Sequence, residues 1–282
     1  MESRLTDPEG FLAAPASGRP TAAVLVLSGS SGTIETERVR LLAGRGAAAL
    51  SIRWFGGPGQ APGICEIPLE TFGPALDRLA GLADHLGVVG ISKGAEAALL
   101  LAARDDRIRA VAAFSPTAVA WGNVGPGHDG SVRPVRSSWT DAGQPVPFVP
   151  YDGTWRPPDD DGPPAFRGLY EQSLDTYAGL VPAATIPVET ITARVLVTGG
   201  GDDRVWPSDV FAAQIAERRA ANGRETTVVV HRDAGHRILL PGEPVPEPHG
   251  MTMARGGEPG TDASIGRDAW PHLVDMFRLR GS

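Results

Sequence analysis

The stretch Gly90-Ile91-Ser92-Lys93-Gly94 sets a serine between two glycines. That spacing suits a turn too tight for side chains beside the serine, with the hydroxyl carried at its tip. A serine hydroxyl is a poor nucleophile until a base takes its proton. Of the 6 histidines, His236 in Asp233-Ala234-Gly235-His236 is the best-placed base, because it lies in a loop just after an apolar run ending at Val230. His231 is a weaker alternative, on that run or at its end, while His85, His128, His249 and His272 read as exposed or structural. The base in turn needs an acid to orient the imidazole and stabilise its protonated form. Gly199-Gly200-Gly201-Asp202-Asp203-Arg204-Val205-Trp206-Pro207 offers two neighbouring carboxylates; Asp203 is preferred and Asp202 is its close rival. Attack at an acyl carbon also calls for two preorganised N–H donors around the developing oxyanion. The backbone N–H of Lys93 is one candidate, and that of Ser30 or Ser31 is the other.

These positions fall where strand-like runs end. Ala23 to Leu27 reads as a buried strand ending at Ser28-Gly29-Ser30-Ser31-Gly32, and Ala47 to Trp54 as a second strand. Between them Glu35 to Gly46 has Val39, Leu41 and Leu42 available for the inner face of a helix. Leu69 to His85, entered after Pro68, carries Phe72, Leu76, Leu79 and Leu82 at helical spacing. Leu86 to Ile91 is a third strand running straight into the serine turn, and Gly94 to Arg104 a helix leaving it. Ile108 to Phe114 and Ala193 to Thr198 add strands, Ser208 to Ala221 a helix, Thr226 to Val230 a strand, and Arg267 to Leu279 a last helix. Strands alternating with helices imply parallel βαβ units. The strand-turn-helix setting of Ser92, with Asp and then His downstream, predicts an α/β-hydrolase fold: a mostly parallel central sheet flanked by helices. Loops of the Gly-x-x-Asp-x-x-x-Pro kind in that fold put the acid at Asp203, and Gly200 to Pro207 fits. Ser92 would sit by a helix N-terminus, whose dipole favours developing negative charge.

Residues 116–187 break the rhythm with a stretch rich in Pro, Gly and Asp. So long an insertion between sheet elements is usually a functional lid or binding loop. It holds Trp121, Trp139, Phe148, Tyr151 and Trp155, so it is expected to cap the site, with Trp121, Trp139, Trp155 and Trp206 as substrate-binding candidates. One domain over residues 1–282, with this cap inserted, is the expected organisation. A net charge of -7 argues against a nucleic-acid partner, which needs a basic footprint. Without a basic-then-apolar leader or an apolar run of membrane-span length, and with Cys65 as the only cysteine, a soluble cytoplasmic protein is expected. No phosphate loop or dinucleotide glycine pattern opens a helix, no close His/Cys set reads as a metal site, and Asp159 to Asp161 lacks the spaced ligands of a calcium loop; no cofactor is expected. The single lysine among 26 basic residues is Lys93, whose side chain could reach solvent, Glu96 or an anionic carrier.

Several stretches, in order from residue 22 to 280, resemble one family. They are Leu41-Leu42-Ala43-Gly44-Arg45-Gly46, Ile67-Pro68-Leu69-Glu70-Thr71-Phe72 and Val89-Gly90-Ile91-Ser92-Lys93-Gly94-Ala95-Glu96. Further along come Gly201-Asp202-Asp203 with Trp206, Ala234-Gly235-His236, and Gly256-Gly257-Glu258-Pro259 before Asp268-Ala269-Trp270. Together they resemble the C-terminal catalytic domain of the acyl-CoA thioesterase and bile acid-CoA:amino acid N-acyltransferase family. The resemblance implies an acyl thioester substrate, carried on coenzyme A or an acyl carrier protein, and an acyl-Ser92 intermediate. Water as acceptor gives a thioesterase; an amine or alcohol gives an acyltransferase. Family members that transfer to amino acids often carry cysteine at the elbow, so Ser92 leans toward hydrolysis. A carboxylester or lactone hydrolase keeps the same residues with another substrate, and a non-catalytic binding protein would keep only the fold.

Overall fold

A computed structural model describes residues 1–130, 133–158, 162–245 and 252–280 of the chain, so the acidic run Asp159 to Asp161 and His249 lie outside the described residues. Eight strands pair into one sheet in the order β1-β2-β4-β3-β6-β7-β10-β11. The strands are β1 (Glu2–Thr6), β2 (Glu9–Ala13), β3 (Ala23–Leu27), β4 (Ala48–Ile52), β6 (Leu86–Ile91), β7 (Ile108–Phe114), β10 (Arg194–Gly200) and β11 (Thr227–His231). From β4 to β11 every neighbouring pair is parallel, and β1 and β2 are added antiparallel at one edge.

The runs are continuous rather than alternating because both faces of the sheet are covered. All five residues of β3 and of β4 are buried. Leu25, Leu50, Val88, Val111 and Val197 pack on one face with α2 (Gly73–Ala80), α3 (Lys93–Ala102) and α6 (Ser208–Ala220). Val24, Val26, Val89, Phe114 and Leu196 pack on the other with α1 (Thr36–Gly44) and α7 (Pro259–Met276). No helix among the described residues is long and apolar enough to cross a membrane.

Three features depart from the sequence reading. The β1–β2 hairpin precedes the run read as the first strand; its outer strand is exposed at four of five positions and so carries no apolar signal. The run from Leu69 begins as a 3-10 turn, Leu69–Phe72, before α2 and ends at Ala80 rather than His85. The last helix starts at Pro259, eight residues before Arg267, with Glu258 and Thr261 forming a reciprocal capping box.

The described residues of the segment 116–187 form β8 (Trp139–Asp141), β9 (Gln144–Pro145), α4 (Arg167–Thr176) and α5 (Val181–Ala184). β8 pairs with β9 and with β5 (Ile67–Pro68) in a small separate sheet. Isolated bridges Val119–Thr185, Trp121–Val149 and Gly122–Ser137 tie the segment to itself.

Candidate active site

Parallel strands deliver their following loops to one edge of the sheet, and ligands of open α/β sheets bind outside the carboxyl ends of the strands. Ser92 follows β6, Asp203 follows β10, His236 follows β11, and Gly29 to Ser31 follow β3. Ser92 itself has φ 55° and ψ -120°, a left-handed strain that a non-glycine residue holds only when its surroundings impose it. The neighbours impose it here. A Cβ on Gly90 would stand 2.1 Å from the Gly94 carbonyl oxygen, and one on Gly94 would stand 2.4 Å from the carbonyl oxygens of Leu27 and Ser28. The helix after the turn therefore packs directly on the backbone of β3. Ser92 N–H donates to the Phe114 carbonyl at 2.9 Å, anchoring the turn to β7.

The His236 Nδ1 lies 2.8 Å from Asp203 Oδ2, and Asp203 is fully buried. The other oxygen of Asp203 accepts from the N–H groups of Val205 (2.9 Å) and Trp206 (3.2 Å). Charge-assisted bonds of this kind fix a carboxylate in place. Asp202 instead accepts from Gly257 N–H and pairs with Arg204 at an exposed position, so it stays away from the imidazole. His231, the weaker base candidate, is paired with Asp268 rather than with the Asp203 loop. His236 is further held from its backbone: its N–H donates to the Arg255 carbonyl, and its carbonyl accepts from the Ser115 hydroxyl. The Trp206 indole packs edge-on to the imidazole at 5.6 Å and donates to the Ser115 carbonyl.

Ser92 and His236 share the wall of one small chamber, and no hydrogen bond joins them among the described residues. Catalytic hydrogen bonds are often long before substrate binds. Ser30 and Ser31 line that chamber too, while Ser30, Ser92 and Lys93 also line a second, larger cavity of about 410 Å³. The backbone N–H of Lys93, at the first helical position, has no intrahelical partner and is free to meet an oxyanion. Gly29 was not singled out in the sequence, yet a Cβ there would stand 3.1 Å from Ser92 Cβ.

Most of the wall of the larger cavity comes from residues 116–187, including Val135, Phe148, Tyr151, Trp155 and Tyr170. Trp155 and Trp206 line it, as the sequence suggested. Trp121 and Trp139 do not: both are fully buried, because their indole N–H groups are spent on Thr117 Oγ1 and Glu96 Oε1. Of the three destinations open to the Lys93 ammonium, it takes Glu96, at 2.6 Å and out of reach of solvent. Burial pushes that ammonium below its usual range, and Glu96 opposes the shift. Cys65, Glu66 and His128 bring their ligand atoms within 4.8 Å of one another, a grouping their sequence separation hides. Glu66 is already engaged by Arg136, and none of the three lines the Ser92 cavities.

The family model for the C-terminal region of BAAT and acyl-CoA thioester hydrolases matches residues 75–280. The chain belongs to this family. Acyl-coenzyme A thioesterase 1 of Rattus norvegicus is 28% identical over 277 residues, covering 92% of this chain and 59% of that protein. Acyl-coenzyme A thioesterase 1 of Homo sapiens is 26% identical over 278 residues, covering 95% and 62%. This family member thus spans about three fifths of the length of the curated relatives it matches. Its fold is that of the α/β-hydrolases. A dienelactone hydrolase-like promiscuous phosphotriesterase from metagenomic libraries superposes with a TM-score of 0.54 at 15% identity, covering 99% of this chain and 96% of that one. A puromycin-hydrolyzing peptidase of Mycobacterium tuberculosis gives 0.56 at 15% identity, covering 98% and 39%.

Proposed function

We propose that this chain hydrolyses acyl thioesters of coenzyme A through an acyl-Ser92 intermediate. The observation that carries this reading is the position of Ser92: strained, in the wall of a largely apolar cavity, and on one chamber wall with an imidazole whose far nitrogen is held by buried Asp203. Membership of the thioester hydrolase family supports the bond attacked.

In the first half-reaction Ser92 Oγ forms a bond to the thioester carbon while its proton passes to His236 Nε2. The carbonyl oxygen becomes an oxyanion facing the N–H groups of Lys93 and of Ser30 or Ser31. The carbon–sulfur bond then breaks, and the thiol leaves with the proton from His236. In the second half-reaction a water attacks the acyl carbon as its proton passes to His236; the bond to Ser92 Oγ then breaks as His236 returns that proton to Oγ, and the carboxylic acid leaves. Asp203 keeps the imidazole in the tautomer that can accept at Nε2. The acyl chain lies in the cavity walled by residues 116–187, which serve as the cap.

Release of free thiol from a series of acyl-CoA chain lengths tests the reading. Ser92→Ala should lower kcat by on the order of 10⁶-fold and Asp203→Asn by roughly 10⁴-fold. Turnover of Ser92→Ala at wild-type rates would overturn it.

A further inference from the structure

Two chambers of different chemistry meet at Ser92. The larger is walled mainly by aromatic and aliphatic side chains of the inserted segment. The smaller, of about 170 Å³, lies on the His236 side and has Arg38, Arg237 and Arg255 in its wall. For a chain whose net charge is -7, three guanidiniums around one chamber at the nucleophile is a local reversal of sign.

The three are not equivalent. The charge of Arg38 is met: its guanidinium grips the Glu243 carboxylate with two nitrogens and donates to the Ile238 carbonyl, leaving only Nη1 without a hydrogen-bond partner among the described residues. Arg237 and Arg255 form no ion pair or side-chain hydrogen bond among the described residues. Both are half-buried. Burial, with Arg237 beside it, pushes the Arg255 guanidinium below its usual range, the direction expected of a cation that lacks a partner. The nearby acids do not supply one. Burial pushes the Glu35 carboxyl in the chamber wall up, toward its neutral form. Asp262, which feels Arg237, is committed to the Gly235 N–H. Both arginines are also fastened to the base loop, Arg237 as the residue after His236 and Arg255 through its carbonyl on the His236 N–H.

We propose that Arg237 and Arg255 form an anion subsite for the phosphate-bearing thiol half of the substrate. It rests on the acyl-thioester reading above and sorts the two halves of that substrate at Ser92. The acyl chain takes the apolar cavity; the pantetheine arm leaves through the smaller chamber, with a phosphate held by the two guanidiniums. Planar guanidiniums bind phosphate through paired N–H donors, which an ammonium does less well.

Calorimetric titration of the full chain with coenzyme A, 4′-phosphopantetheine and pantetheine tests this without relying on turnover. Coenzyme A should bind, with an affinity that falls as salt is raised, and pantetheine should bind at least ten-fold more weakly. Arg237→Ala and Arg255→Ala should each weaken coenzyme A binding by about ten-fold or more and leave pantetheine binding within two-fold. The Arg→Lys variants, which keep the charge, should recover part of the loss and so separate lost charge from a misfolded loop. A matching loss with 4′-phosphopantetheine assigns the contact to the phosphate shared by coenzyme A and carrier-bound arms; a loss with coenzyme A alone assigns it to the coenzyme's remaining phosphates. Equal binding of coenzyme A by wild type and both alanine variants would overturn the inference, even if Ser92-dependent turnover stands. The opposite pattern, arginine-dependent binding with no Ser92-dependent turnover, would sink the hydrolase reading and leave the subsite.

Discussion

The separation of Asp203 from Asp202 shows what a single residue's surroundings decide. Adjacent carboxylates in one loop are indistinguishable as letters; what divides them is which N–H groups each accepts. Asp203 turns inward to His236 Nδ1 and the N–H groups of Val205 and Trp206, and Asp202 outward to Gly257. Asp203→Asn should therefore cost far more activity than Asp202→Asn, which should stay within a few-fold of wild type in kcat; equal losses would contradict the assignment. Gly29 makes a second residue-scale prediction. In Gly29→Ala the new methyl would press on Ser92 Cβ, so kcat should fall at least ten-fold while thermal unfolding shifts by a few degrees at most. In Gly94→Ala the clash is with the backbone of Leu27 and Ser28, which cannot yield, and the loss should appear as failure to fold. The flanking glycines of the elbow were legible because their spacing is local. Gly29 was not, because its constraint comes from a strand that is distant in sequence.

At the scale of elements, α3 is buried at all ten positions and so must satisfy its two charged residues internally. Glu96 does more than pair with Lys93. Its second oxygen accepts from the Trp121 backbone N–H at 3.0 Å and the Trp139 indole at 2.7 Å, which fastens the helix behind Ser92 to the inserted segment. Glu96→Gln should leave an uncompensated buried ammonium, a loss of about 3–5 kcal/mol read as a Tm drop of roughly 10 °C. The double variant Lys93→Met/Glu96→Gln should recover much of that, and a double variant no better than the single would refute this account of the pair. The segment has its own pH response. Hydrogen bonds from Gln172, Thr176 and Thr154 hold the Asp152 carboxyl well below its ordinary value of 3.8. That stabilisation is complete above pH 3.8 and is lost as the pH falls toward the lower folded value. Amide protection over residues 162–176 should fall in that acid range, and Asp152→Asn should flatten the change. Elements announced themselves where burial on both faces made continuous apolar runs, as in β3, β6 and β7. The β1 edge was silent because its side chains face water. The first turns of α7 were silent because Gly260, Thr261 and Gly266 are poor helix formers, tolerated because the Leu239 backbone packs against Gly266.

Across the whole molecule, strand order carries the candidate site: the loops after β3, β6, β10 and β11 reach one edge and bring together residues far apart in the chain. That much followed from the alternation of strands and helices. The contents of the insertion did not, since aromatic residues in a Pro- and Gly-rich segment look alike whether they face a ligand or the core. Trp155 lines the cavity, whereas the Trp121 backbone N–H and the Trp139 indole N–H hold the segment to Glu96 of α3 and the Trp121 indole is spent on Thr117. The same holds for the arginine chamber, assembled from α1 and the loops around residues 237 and 255 within an acidic chain. The central claim is that a thioester carbon is transferred to Ser92. Rapid acid quench of the enzyme with a long-chain acyl-CoA, followed by intact-mass and peptide mass spectrometry, measures this directly. The account predicts an adduct of the acyl mass on the peptide containing Ser92, absent in Ser92→Ala. Thiol release by wild type with no acyl-enzyme at any quench time, or an adduct that persists in Ser92→Ala, would contradict it.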